Sequence, residues 1–182
     1  MTKVQPRIDP KEFRKRFIDA AWALGASRGG EGVKIRDIAE AVGVSAALIY
    51  AYFEDKASLM AELQAIGAER FDAMVTERSQ LQGGDDLLGL CECYLEHMRV
   101  HGWLYAAPPG LSADTIHVRA FLRRASTLLD AADGDVRAIH LWIGVHGLFA
   151  AGQCAPSLAE QLDAREHLTL LIDAVRRHGR RA

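Results

Sequence analysis

Two apolar-striped segments separated by one tight corner, IRDIAEAVGVSAALIYAYFEDK from Ile35 to Lys56, constrain this chain more than any other feature. In the first segment Ile35, Ile38, Ala39 and Val42 recur at helical spacing, and Gly43 can take the left-handed conformation that ends a helix. In the second, Ser45 is placed to cap a helix that carries Ile49 and Phe53 inward and ends near Phe53, with Val44 packing at the corner. Two short helices joined by a glycine-containing turn form the pattern of a helix-turn-helix. The same pattern fits an ordinary αα-hairpin whose aromatics pack in a core, and periodicity alone leaves both readings open.

Nearly every other segment also reads as helix and no alternating strand pattern emerges, so the fold expected is all-α. Asp9 and Pro10 start a first helix with Glu12 at the capping-box position, Phe13, Phe17, Ala20, Ala21 and Leu24 give its apolar face, and Gly29-Gly30 ends it. Asp55 can cap a helix from Lys56 to about Gln80; further helices are expected near 85–101, 112–130, 135–152 and 157–178. For the last of these Ser157 and Glu160 suggest a capping box, and Arg176, Arg177 and His178 suit its C-terminus. The boundary expected is a three-helix module at 1–56 followed by an antiparallel helical domain at 57–182.

Composition sets the partners this organisation can take. With 49% apolar and 25% charged residues, the 182-residue chain can bury an ordinary globular core. The net charge of −2 names no partner, but residues 1–60 hold ten Lys/Arg against eight Asp/Glu, and the remainder twelve against sixteen. All five lysines, Lys3, Lys11, Lys15, Lys34 and Lys56, lie in the first part, which suits an anionic partner for that part alone. Cys91, Cys93 and Cys154 form no disulfide framework, the start carries no apolar signal core, and LWIGVHGLFAAG is too short to span a bilayer. A cytoplasmic protein with no membrane association is expected. The absence of a phosphate loop or a nucleophile elbow argues against an enzyme, and no cofactor is expected.

On a helical wheel the outer face of the segment after Ser45 shows Ala47 and Ala51, flanked by Leu48 and Tyr50. Small residues let a helix approach base edges, apolar side chains can meet thymine methyls, and Tyr or Lys at the rim can reach phosphates. The outer face is therefore suited to DNA.

Residues 13–60 resemble the DNA-binding domain of TetR-family transcriptional regulators, through the string R-D-I-A-E-A-V-G-V-S, two small residues, L-I-Y, one residue, Y-F, two residues and K, from Arg36 to Lys56, with Arg28-Gly29 ahead of it. The resemblance implies backbone contacts by Lys34, Arg36, Tyr50, Tyr52 and Lys56, and base-side contacts near Ala46, Ala47 and Leu48, next to Ser45. The chain departs from the family in carrying Ala46 and Ala51 where polar or basic residues are common, Leu48 in place of Thr or Ser, and Gly25 where a core aromatic is usual. Direct readout is therefore expected to be sparse, with Arg36, methyl contacts and DNA shape carrying specificity. The run Arg14, Lys15, Arg16 can face the duplex and Lys3 and Arg7 can form an arm, or they are simply a solvated surface and a terminus.

Residues 57–182 resemble the regulatory domain of the same family more weakly. This implies a homodimer on a palindromic DNA operator, acting most simply as a repressor released by a small-molecule effector. The fourth helix would then be the lever that changes the separation of two reading heads. Tyr94, His97, Met98, Trp103, Tyr105, Phe121, Trp142 and His146 are candidates to line an effector pocket, or to be plain core. Gly144, Gly147, Leu148 and Ala151, with Leu168, Leu171 and Val175, are candidates for a dimer interface, or for packing inside one subunit. His97 and His101 stand one turn apart but have no further ligand at a suitable spacing, so no metal site is expected. A reading from a different class is an all-α small-molecule binding or sequestering protein with weak DNA binding.

Overall fold

The computed structural model describes residues 9–84, 86–105, 116–131, 135–160 and 162–178, and among these there are helices and turns but no strand. The described residues fall into two compact units, one within Met1–Gln64 and Trp103–Pro109, the other within Ala65–Gly102 and Gly110–Ala182. The boundary expected after Lys56 coincides with the start of a helix, whereas the compact units divide inside that helix, after Gln64.

In the first unit, α1 spans Pro10–Arg28, with the Asp9 carboxylate accepting from the Lys11 N–H at 3.0 Å. Pro at the first helical position costs nothing there, because that N–H would have no partner inside the helix anyway. Gly29 ends α1 at φ +76, a backbone conformation that a side chain would strain. Next come α2 (Ile35–Val42), α3 (Ala46–Ile49) and the first turns of α4 (Lys56–Gln82). Asp55 and Ser58 form a reciprocal cap at the start of α4, with the Ser58 N–H donating to the Asp55 carboxylate at 2.7 Å and the Asp55 N–H donating to the Ser58 hydroxyl at 3.2 Å. Phe17, Ala21, Val33, Ile38, Ile49, Leu59 and Leu63 are fully buried and make the core of this unit. Each large apolar side chain removed from water in this way contributes on the order of 1.5–3 kcal/mol before chain entropy is counted.

A remote segment completes that core. After α5 (Leu87–His101) the chain makes a single 3₁₀ turn, Gly102–Leu104, whose Trp103 packs edge-on against Trp22 of α1 at 5.6 Å between ring centroids. The Gln64 side-chain amide donates to the Leu104 carbonyl at 2.9 Å and pins the turn. Gly25 is buried, and a Cβ there would lie 2.1 Å from the Trp103 ring. The aromatic expected at position 25 is thus supplied by residue 103.

The second unit is built from the remainder of α4 with α5, α6 (Ile116–Leu128), α7 (Val136–Cys154), the short α8 (Pro156–Ala159) and α9 (Ala164–His178). Helix α7 packs against α5, α6 and α9. The single helix expected over 157–178 is instead divided, and Asp163 caps the longer part by accepting from the Arg165 and Glu166 N–H groups at 2.9 and 3.0 Å. Polar braces on the rim tie helices together: Arg124 of α6 donates to Asp72 of α4 at 2.8 Å, and Glu92 of α5 receives both Arg78 of α4 and Arg165 of α9. Cys91 and Cys93 are buried, and burial pushes the Cys91 thiol up to about 12 and raises that of Cys93. Both act as small apolar side chains. No helix among the described residues is long and apolar enough to cross a membrane.

The notch at Gly25 makes a direct prediction. Gly25→Ala forces a methyl into the Trp103 ring and should lower stability by about 1–3 kcal/mol, read from the midpoint of urea unfolding. In the Trp103→Ala background the same substitution should cost much less, and equal costs in both backgrounds would show that the two residues do not compete for one space.

Candidate nucleic-acid interface

The corner between α2 and α3 is a Schellman turn. Gly43 sits at φ +77 and ψ 36, its N–H donates to Glu40, and the Val44 N–H reaches back to the Ala39 carbonyl at 2.9 Å. Ser45 then enters α3 with an extended backbone and an exposed side chain that makes no cap bond. Regular helix stops at Ile49, short of the expected end near Phe53. From there the chain tightens: the Ala51 N–H donates to Leu48 at 3.1 Å, and the Tyr52 and Phe53 N–H groups both reach Ile49.

Burial along this segment alternates as the wheel requires. Ile49 is fully buried and Phe53 is 3% exposed, while Ala47 and Ala51 are exposed, Ala46 and Leu48 half-buried, and Tyr50 54% exposed. Lys34, Arg36 and Lys56 are exposed. Of the positions expected to contact DNA, Lys34, Arg36, Ser45, Ala47, Tyr50 and Lys56 are exposed and Ala46 and Leu48 half-buried. Tyr52 is placed differently. It is half-buried, with its ring 5.4 Å from Phe17 and 6.2 Å from Phe13, so its ring leans on α1.

The basic run of α1 does not form an open cationic strip. Arg14 turns toward α4 and donates to Glu62 and to the Tyr52 carbonyl, Lys15 pairs with Asp19 one turn on, and Arg16 lies over the Phe13 ring. Arg28 pairs with Asp37 at 3.4 Å. Lys3 and Arg7 lie outside the described residues.

Of the candidate pocket residues, Trp103 and Tyr105 belong to the first unit, and the other six to the second. Tyr94, His97, Met98 and Phe121 are buried, with Trp142 and His146 half-buried. The Tyr94 hydroxyl accepts from the Trp142 indole at 2.9 Å and hydrogen-bonds His146 Nδ1 at 3.1 Å. Phe121 meets Tyr94 edge-on, and His117, which sequence reasoning passed over, stacks on Tyr94 from the other side of the cluster. The cluster is packed, with a polar spine through its middle. His97 and His101 rings lie 5.1 Å apart, and among the described residues no group of three or more His, Cys, Asp or Glu could hold a metal.

The candidate dimer residues separate into two sets. Leu168 and Val175 are 1% and 5% exposed and face the core of their own subunit. Leu171 fills the notch at Gly144, where a Cβ would lie 2.5 Å from its side chain, so this pair packs α7 on α9 within one chain. Gly147 is open, Leu148 and Ala151 are half-buried, and the outward large apolar residues of these helices are Val136, Ile143 and Leu170, at 50%, 53% and 59% exposure.

Burial holds His97 down to about 4, with His101 adding to the effect, and holds His117 down to about 3, with His97 and His146 adding to it. Both rings are neutral in the folded chain at pH 7. Below the unfolded value of about 6.5 the unfolded chain takes up protons that the folded chain refuses, so stability falls between pH 6.5 and those lower values. His117→Phe should flatten that fall by up to ~1.4 kcal/mol per pH unit, measured as unfolding free energy from pH 7 to 4. An unchanged slope would mean that His117 does not stay neutral.

Comparison with known proteins agrees with this geometry. Residues 17–63 match the model of bacterial regulatory proteins of the tetR family. The HTH-type transcriptional repressor KstR of Mycolicibacterium smegmatis is 38% identical over 74 residues, which cover 41% of this chain and 36% of that protein. The matched stretch thus spans about a third of the curated relative's length. A TetR-family regulator from Streptomyces coelicolor superposes with a TM-score of 0.62 at 22% identity, covering 89% of this chain and 98% of the other. NalD of Pseudomonas aeruginosa, the secondary repressor of the MexAB-OprM multidrug efflux pump, superposes at 0.58 with 19% identity, covering 93% and 96%. These likenesses extend the shared fold beyond the matched segment, and residues 17–63 of the chain are similar to the tetR family of bacterial regulatory proteins.

Proposed function

We propose that this protein is a DNA-binding transcriptional repressor that acts as a homodimer on a palindromic operator and leaves it when a small molecule binds the second unit. The observation that carries this reading is the one-turn α3, held inward by Ile49, with Ala47 and Tyr50 exposed and Ala46 and Leu48 half-buried, in a segment where Lys34, Arg36 and Lys56 are exposed as well. Phosphate contacts by the three cations and by Tyr50 would position the helix, and Leu48 and the alanines would meet thymine methyls. The half-buried Tyr52 would contribute to the same surface from its edge. A dimer must place two such helices about one duplex turn (~34 Å) apart, so a change transmitted along α4 would disturb both half-sites.

The dimer face we assign is the outward side of α7 and α9, with Ile143, Gly147 and Leu170, together with the half-buried Leu148 and Ala151. An effector would enter by displacing Trp142 and His146 from Tyr94. One observation favours a second reading, a small-molecule binding protein with weak DNA preference: apart from Ser45, the base-facing side of α3 is wholly apolar. Tight effector binding with no preferred DNA would select that alternative.

The test is titration against DNA upstream of the protein's own gene, with random competitor DNA and several salt concentrations. A protected, roughly palindromic site that outcompetes random DNA is the expected result; a genome-wide DNA selection returning no motif would overturn the reading. Lys56→Ala should weaken binding to all sequences and reduce the salt slope by about one, whereas Leu48→Ala should cost operator affinity and leave random-DNA affinity unchanged. Leu170→Glu should yield monomers by sedimentation and reduce operator affinity, and a dimer that persists would move the interface elsewhere.

A further inference from the structure

We infer that Arg14 is a positioning residue for DNA reading: its guanidinium holds the turn that follows α3 and so fixes the angle at which α3 is presented. The inference rests on the proposed DNA-binding role of α3.

A helix of four residues has no stability of its own, and the carbonyls at its C-terminal end lack partners inside the helix. The chain from Tyr50 to Phe53 is not regular helix and is held by one backbone bond back to Leu48 and two to Ile49. Something outside the segment must fix it. Arg14, from the second turn of α1, donates through one terminal nitrogen to the Tyr52 carbonyl at 2.6 Å. Its Nε donates to Glu62 at 3.2 Å, and its other terminal nitrogen bonds the same carboxylate. The planar group also lies 4.4 Å from the centre of the Phe53 ring. One side chain therefore joins α1, the turn after α3 and α4, through a fork that a lysine cannot reproduce. Two other cations of α1 pair elsewhere, Lys15 with Asp19 and Arg28 with Asp37. The pairing also makes Arg14 a poor phosphate ligand, because Glu62 already neutralises it.

The experiment uses the full chain and three variants, Arg14→Met, Arg14→Lys and Glu62→Gln, each read by amide hydrogen exchange and by operator affinity across a range of salt. In Arg14→Met the amides of Tyr52 and Phe53 should lose protection while those of α1 and α2 keep theirs. Operator affinity should fall about tenfold with the salt slope unchanged, the loss expected when charge-assisted hydrogen bonds are removed. Arg14→Lys keeps the charge but not the fork and should behave nearly like Arg14→Met, and Glu62→Gln should loosen the same amides to a smaller degree.

A salt slope reduced by about one, or full affinity in Arg14→Lys, would make Arg14 a phosphate contact and overturn the inference. Unchanged exchange at Tyr52 and Phe53 would overturn it as well. If the unsubstituted chain selects no DNA, the proposed function fails along with this inference; if it selects an operator that Arg14→Met binds equally well, only this inference fails. Should Arg14→Met not fold, Glu62→Gln supplies the same exchange comparison.

Discussion

The inward anchoring of a single helical turn is the interaction on which the surface proposed to face DNA depends. Ile49 and Phe53 are drawn into the core beneath α1, where Phe17 meets Phe53 edge-on at 6.5 Å. With those two side chains fixed, the pitch of the chain leaves Ala47 and Tyr50 exposed and Leu48 half-buried. The Schellman turn at Gly43 sets the angle of entry, and no L-residue could adopt φ +77 there without strain. Apolar burial thus decides which side chains are left for a partner, and the partner surface itself needs little stabilisation.

The core of the first unit is also not a product of its own stretch of chain. Gly25 leaves a gap in α1, and Trp103, 78 positions later, closes it. The chain accordingly passes between the two units within α4, after Gly102 and again beyond Tyr105. An account of α1 that stops at residue 64 would find an unexplained hole where the complete chain has an indole ring.

The second unit shows a different balance. Its core admits Tyr94, His97, His117 and Ser126, and the Tyr94 hydroxyl is served by both Trp142 and His146. Polar groups so placed cost free energy unless partnered, and two histidines held neutral by burial add a dependence on acid that an apolar core would not have. Helix α9 divides its leucines by direction: Leu168 is buried and Leu171 fills the notch at Gly144 of α7, while Leu170 is exposed.

The helices themselves, the corner at Gly43 and the inward direction of Ile49 and Phe53 were legible in the sequence, because periodicity, caps and left-handed glycines act over a few residues. So was the exposure of Ala47 and Ala51 with Tyr50 beside them, whereas Leu48 is half-buried. The sequence by itself could not choose between two faces of one helix when both are apolar, which is why Leu168 and Val175 read as interface residues and are core. Nor could it join Arg14 to Tyr52 and Glu62, or Trp103 to Gly25, since these partners are brought together by packing and not by spacing. Local chemistry determined where helices begin and end; the competition of distant side chains for the same buried space decided which of their residues remain available to act.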